Sequence, residues 1–349
     1  MCVYMGWGLL SNSDLENFTM IPIQLKGHER PLTQIKFNKD GDLFVSVGRD
    51  RTANVWFTET GERLGTLGHG GSVMSVDINN DTTYAVTGTA DQKVCFWNIK
   101  TGGLIRELEF RATQRYVQIH PYGKQAKLLA VQDQHMGQFS TIRVFDIDFS
   151  DLSNPKIDES LAIEYREEPF VKAAWTYDGN RIVAVHNNGS VSRINAITGE
   201  IEQIQKVHSK NVVDLQMSPD RTYFITASRD STACMIEVDS DFEKGKQVFR
   251  GDVPLNTAAI SPIKDIIMAG GGIDAREVTT SSGSKFETHF FHKVFADDLG
   301  RVEGHFGPIN TIAIHPHGTM YVSGAEDGYM RLHKFDKSYF EFEYPKLAA

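Results

Sequence analysis

Two consecutive stretches of the chain, GHERPLTQIKFNKDGDLFVSVGRDRTANVW and GHGGSVMSVDINNDTTYAVTGTADQKVCFW, set His28 and His69, Asp50 and Asp91, and Trp56 and Trp97 each 41 residues apart. A fixed period of that length is the size of one four-stranded sheet in a circular array, since a single such unit cannot bury its apolar face alone. Within each unit the side chains alternate in steps of two, Ile35 and Phe37 against Gln34 and Lys36, then Met74, Val76 and Ile78 against Ser75 and Asp77. That is the pattern of strands. The same order returns at His208, Asp230 and Ile236 and at His305, Asp327 and His333, with 22 residues from His to Asp and six more to the third position.

Three degenerate copies fill the remaining space: Phe145 in RVFDI, Ile194 after the turn Asn187-Asn188-Gly189, and Val278 after Gly270-Gly271-Gly272. Taking Trp56, Trp97, Phe145, Ile194, Ile236, Val278 and His333 as equivalent gives gaps of 41, 48, 49, 42, 42 and 55 residues. The expected fold is therefore all-β, a seven-bladed β-propeller of WD-repeat type. Insertions are expected before Phe145, around Ser150 to Glu168, and between Thr280 and Arg301. An open propeller would expose two unpaired strand edges, so the ring must close. The segment at about residues 20–25 precedes the first Gly-His pair and is predicted to pair with the last blade beside Tyr329 to Phe335. Residues 20–349 then form one domain with a short C-terminal tail, in which Tyr339 to Tyr344 pairs as an edge strand or docks under the last blade. Residues 1–19 fall outside it, as a disordered extension or a mis-assigned start with Met20 as the natural one.

Four residues before each aspartate of the strong copies stands a hydroxyl: Ser46 before Asp50, Thr87 before Asp91, Thr226 before Asp230, Ser323 before Asp327. With His28, His69, His208 and His305 arriving from the preceding loop, and Trp56 and Trp97 on the third strand, these groups can satisfy one another when buried. Blade four lacks all three together, having Ala184, Asn188 and Arg166 instead. Ser, His and Asp in proximity also suggest a hydrolase triad. A triad, however, occurs once, beside an oxyanion hole, whereas this set recurs around a ring and reads as architecture.

Apolar residues make up 40% of the 349, enough for a large core, and the formal charge of -9 comes from interleaved acids and bases. That balance argues against a chain whose main work is neutralising phosphates, so direct RNA contact is not expected. Cys2, Cys95 and Cys234 fit neither a disulfide framework nor a zinc knuckle, which suits a reducing, cytoplasmic setting. No signal-peptide core or membrane span is found in the first residues. His289 and His292 have a helical metal spacing, but a strand would put them on opposite faces. Gly270-Gly271-Gly272 precedes no Gly-Lys-Ser and reads as a tight hairpin, not a phosphate cradle. No catalytic residue, metal, cofactor or small-molecule substrate is expected.

The runs GHERPLTQIKFNKDGDLF, GERLGTLGH and SPDRTYFITASRD, and the long stretch from GGGIDAREVTTSSGSKFETHFFHKVFADDLGRVEGHFGPIN to KFDKSYFEFEY, go beyond a generic propeller. From about Met20 to Tyr344 they resemble subunit i of eukaryotic translation initiation factor three, most loosely in blades three and four. The resemblance implies a non-catalytic scaffold for subunits b and g, with a helical tail of b against the later blades. Through them it would support preinitiation-complex assembly and mRNA recruitment on the small ribosomal subunit, which is contacted indirectly. On that basis the candidate partner-binding residues are Asp214, Arg229 and Asp230 in blade five and Lys285, His289 and His292 in blade six. A generic cytoplasmic signalling scaffold is the alternative, because a fold alone does not name its client.

Overall fold

Short runs of β-branched and aromatic residues separated by Gly, Asp and Asn turns become strands, mostly of six residues, in a computed structural model that describes residues 22–121, 126–151, 155–273 and 286–344. The strands form seven four-stranded antiparallel sheets. Six are simple meanders of consecutive strands. The seventh combines Ile309–Ile314, Met320–Ala325 and Tyr329–Lys334 with Ile23–Lys26 from the beginning of the chain. Ile23 faces Leu332 and Lys26 faces Tyr329, so the ring closes as expected, with the observed strand at 23–26.

The core is divided into seven wedges, each between the facing sheets of two adjacent blades. Phe44 and Trp56 of blade one pack with Met320, Val322 and Leu332 of blade seven. Phe224 and Ile236 of blade five pack with Val183 and Val191 of blade four. No blade owns a core by itself, which is why the number of blades and the closing strand matter to stability.

In blade six the third strand is Glu287–His292, with Phe291 opposite Ile267 as Ile236 is opposite Phe224 in blade five. The third-strand position therefore falls on Phe291 and not on Val278, which lies outside the described residues. The fourth strand of that blade is Asp298–Glu303, which begins inside the stretch expected to be inserted sequence and runs past its end at Arg301. Gly270 and Gly271 end the second strand instead of forming a hairpin. A Cβ at Gly271 would lie 2.0 Å from the Pro254 carbonyl oxygen, so only glycine lets the two segments approach. Likewise Lys156–Glu164 is the fourth strand of blade three and not an insertion.

The tail docks across blades six and seven as a helical turn, Lys337–Glu341, and not as an edge strand. Tyr339 stacks on Phe335 at 3.8 Å and its hydroxyl lies 3.2 Å from Ser261 Oγ; Lys264 Nζ donates to the Phe340 and Phe342 carbonyls. Residues 1–19 and Met20, expected to form an extension and the natural start, lie outside the described residues. Among the described residues no helix is long and apolar enough to cross a membrane.

Candidate functional site

In blade one the repeated polar residues form a single proton-ordered chain. Trp56 Nε1–H donates to Ser46 Oγ at 2.9 Å, Ser46 Oγ lies 2.7 Å from His28 Nε2, and His28 Nδ1 lies 3.0 Å from both Asp50 oxygens. Burial lowers the His28 pKa despite the Asp50 carboxylate. A neutral ring with the proton on Nδ1 satisfies every partner. Ser46 is 0% exposed and its oxygen already serves tryptophan and histidine, so no substrate reaches it. The triad-like set is a buried tie.

The other copies keep the histidine-hydroxyl bond and vary the rest. In blade two Trp97, Thr87 and His69 are joined, but His69 Nδ1 bonds the Leu67 carbonyl at 3.1 Å, and Asp91 Oδ1 is buried without a hydrogen-bond partner. Asp91 thus stays outside the expected set. In blade five His208 lies 2.8 Å from Thr226, 2.9 Å from Thr232 and 3.3 Å from Asp230. In blade seven His305 Nε2 lies 2.7 Å from Ser323, while the buried Arg331 donates to Nδ1 and faces Asp327 at 3.7 Å. Since arginine can only donate, His305 must carry its proton on Nε2, the reverse of His28. Blade four substitutes a different pair, His186 Nε2 to Ser192 Oγ at 2.9 Å, and burial pushes the His186 pKa down to about 4.

A second ring of polar contacts, not anticipated from the sequence, joins the innermost strands around a central channel of about 510 Å³. Gln34 accepts from Val76 N–H, Ser75 from Val117 N–H, Asp77 from Ile119 N–H and Gln118 from Trp175 N–H. Lys172 then pairs with Asp214 at 2.7 Å, Thr257 donates to Asp214 at 2.7 Å while accepting from Ile312 N–H, and Thr311 accepts from Ile35 N–H. Every joint between adjacent blades is bridged. Asp214 serves two of them, and it also accepts from Gln216 at 3.0 Å and from Leu215 N–H at 2.9 Å.

This corrects the assignment of Asp214 to a partner surface. It is 4% exposed at the hub, with both carboxylate oxygens occupied. Burial alone would raise its pKa, but Lys172 and the hydroxyl and amide donors hold it below the ordinary carboxylate value. His289 and His292 are also withdrawn from solvent, at 3% and 7% exposure, His289 beside Glu287 and His292 against Tyr344. They alternate faces of a strand and share no metal geometry; among the described residues no group of three or more His, Cys, Asp or Glu could hold a metal ion. Lys285 lies outside the described residues. Arg229 and Asp230 sit half-buried on the rim of blade five, with Asp230 accepting from Ser209 N–H and Thr232. Of the five described candidates they are the ones nearest to solvent. Cys95 and Cys234 are buried free thiols, each pushed up to about 12 by loss of hydration.

Comparison with known proteins places this ring. The chain matches the EIF3I family over residues 20–345. It is 48% identical over 339 residues to the eukaryotic translation initiation factor 3 subunit I of Debaryomyces hansenii, covering 93% of this chain and 96% of that protein. The subunit I of Schizosaccharomyces pombe is 46% identical, over 93% of this chain and 99% of its own length. Among solved structures, the β-propeller domain of Cps50 (Swd1) from Myceliophteria thermophila superposes with a TM-score of 0.73, over 91% of this chain and 99% of that one, at 19% identity. That likeness speaks to the fold alone. With the family spanning nearly all of the ring, the chain belongs to the eukaryotic translation initiation factor 3 subunit I family.

Proposed function

We propose that the chain is a non-catalytic scaffold of the initiation factor 3 complex in the cytoplasm, holding subunits b and g and thereby supporting preinitiation-complex assembly and mRNA recruitment on the small ribosomal subunit. The carrying observation is the extent of the family match, which takes in all seven blades and the closing strand. Physical support comes from the later blades. Where the C-terminal turn crosses blade six, Ile263, Val294, Phe295 and Phe340 are 49%, 57%, 50% and 39% exposed. Tyr344 stacks on Phe295 at 5.0 Å, and Lys264 is fastened to the Phe340 carbonyl, so these residues share one rigid patch. A helix from subunit b can bury its apolar face there; Arg229 and Asp230, in the turn between the second and third strands of blade five, lie on the other rim.

The test is co-expression with tagged subunits b and g. The wild-type chain is expected to co-purify with both, and Val294→Asp with Phe295→Asp to lose b while keeping its melting temperature. Wild-type chain that fails to co-purify with b and g would overturn the reading, and the same chain recovered instead with receptor or kinase partners would favour a signalling scaffold.

A further inference from the structure

The rim built from the inter-blade loops and the turns between second and third strands carries Arg30, Arg49, Arg51 and Arg111, all exposed. None of the four guanidinium groups makes a hydrogen bond or ion pair among the described residues. They are neighbours because their loops are stitched together. Arg49 N–H donates to the Pro31 carbonyl at 3.0 Å, Ser72 Oγ to the Arg49 carbonyl at 3.1 Å, Ala90 N–H to the Ser72 carbonyl at 2.8 Å, and Thr113 Oγ1 to the Ala90 carbonyl at 3.3 Å. The arc continues into blade seven, where the Gly328 turn lies against the carbonyls of His28 and Arg30, and Asp327 accepts from Phe306 N–H at 3.2 Å.

Phe306 is 82% exposed, with one ring face 5.7 Å from the Arg331 guanidinium and the other open. The acids of this rim are mostly turned inward: Asp50 to His28 and Glu29 N–H, Asp327 to Phe306 and Tyr329 N–H, Asp91 against Gly70 and Gly71. Glu29, Glu109 and Glu303 remain exposed, Glu109 facing Lys93 at 3.5 Å, and Glu326 is half-buried. Four unpaired cations therefore face solvent, with the exposed acids at the two ends of the arc and at Glu29 and none beside Arg49 and Arg51 in their turn except the inward-facing Asp50, although the whole chain carries -9. Screening over about 8–10 Å makes the local balance decisive for a bound polyanion.

We propose that this arc, from Phe306 through Arg30, Arg49 and Arg51 to Arg111, binds single-stranded RNA. The guanidinium groups take phosphates, and the open face of Phe306 takes a base. This departs from the expectation drawn from overall charge, which averages over the molecule what a strand meets locally. An acidic helix would need an apolar groove beside the charges, and Phe306 is the one strongly exposed aromatic ring on the arc.

The test is fluorescence anisotropy of the full chain with a labelled oligouridylate about twelve nucleotides long, against a polyglutamate peptide of equal length. Oligouridylate is expected to bind at low salt. Arg49→Glu with Arg51→Glu should weaken it about tenfold or more and lower the slope of log affinity against log salt by roughly 1.4. Phe306→Ala should weaken it about fivefold while leaving inorganic polyphosphate binding unchanged. Lys210→Glu, on the opposite side of the ring, should have no effect, and circular dichroism should be unaltered throughout. No binding at low salt, equal binding by the arginine and phenylalanine variants, or tighter binding of polyglutamate, which would mark an acidic protein partner, would each overturn the proposal.

Discussion

Replacing Asp214 by Asn should destabilise the whole ring, although the side chain touches no wedge of the core. The carboxylate accepts from Lys172, Thr257, Gln216 and Leu215 N–H at 2.7, 2.7, 3.0 and 2.9 Å. An amide keeps the size, removes the charge, and turns an NH2 toward a donor. Breaking a buried ion pair from one side costs about 3–5 kcal/mol, and the lower end applies because the Lys172 side chain is 20% exposed toward the channel. With an unfolding entropy of roughly 2.1 cal/mol/K per residue, a ring of this size has about 0.7 kcal/mol/K, so ~3 kcal/mol lowers the melting temperature by ~4–5 °C. Replacing both partners by apolar residues, Lys172→Met with Asp214→Leu, removes the orphaned ammonium but leaves the Thr257, Gln216 and Leu215 donors without this acceptor, so it should recover only part of that loss. The folded pKa of Asp214 is depressed, so its stabilisation is full above the ordinary value of 3.8 and is lost as pH falls through the folded one. The gap between wild type and variant in differential scanning calorimetry should therefore hold constant from about pH 7 to 5 and close only below about pH 4. A shift under about 1 °C at pH 7, or a gap that closes between pH 7 and 5, would refute the hub assignment.

Three further outcomes follow from the same geometry. His28→Ala leaves the Ser46 hydroxyl without its acceptor and should cost about 2–3 kcal/mol in urea unfolding, whereas Asp91→Asn, outside the His69 bond, should cost under about 1 kcal/mol; equal losses would show the two blades to be tied alike. Removing residues 20–26 strips the outermost strand from blade seven and exposes its Tyr329–Lys334 edge, so the truncated chain should melt at least about 10 °C lower or aggregate. Cys95 and Cys234, with thiol pKa values of about 12, should resist iodoacetamide at about pH 8 in the native ring and react on unfolding, as mapped by mass spectrometry; rapid native labelling would place them nearer solvent.

The period was legible where a blade's hairpins are short, because fixed spacing then carries His, hydroxyl, Asp and Trp to fixed places. It misled in blade six, where Val278 was aligned before the third strand had begun. With Phe291 as the equivalent position, the gaps from Ile236 and to His333 become 55 and 42 residues, so the extra length sits inside blade six and not after it. The hub was hidden for a different reason. Gln34, Ser75, Gln118, Asp214, Thr257 and Thr311 perform one task with four residue types, since any short or flexible polar group can reach across a blade joint. In the sequence they alternate with apolar residues and so look like the wet face of a strand. That ambiguity is intrinsic: period-two patterning separates the two faces of a sheet but does not say whether the polar face meets bulk water or a ring of neighbours. The family resemblance puts Asp214 among partner-facing residues, and the alternation of its strand does nothing to contest that. In the ring it carries two blade joints at once, as Thr257 does, and its geometry and charge account for an acid so placed with no client required.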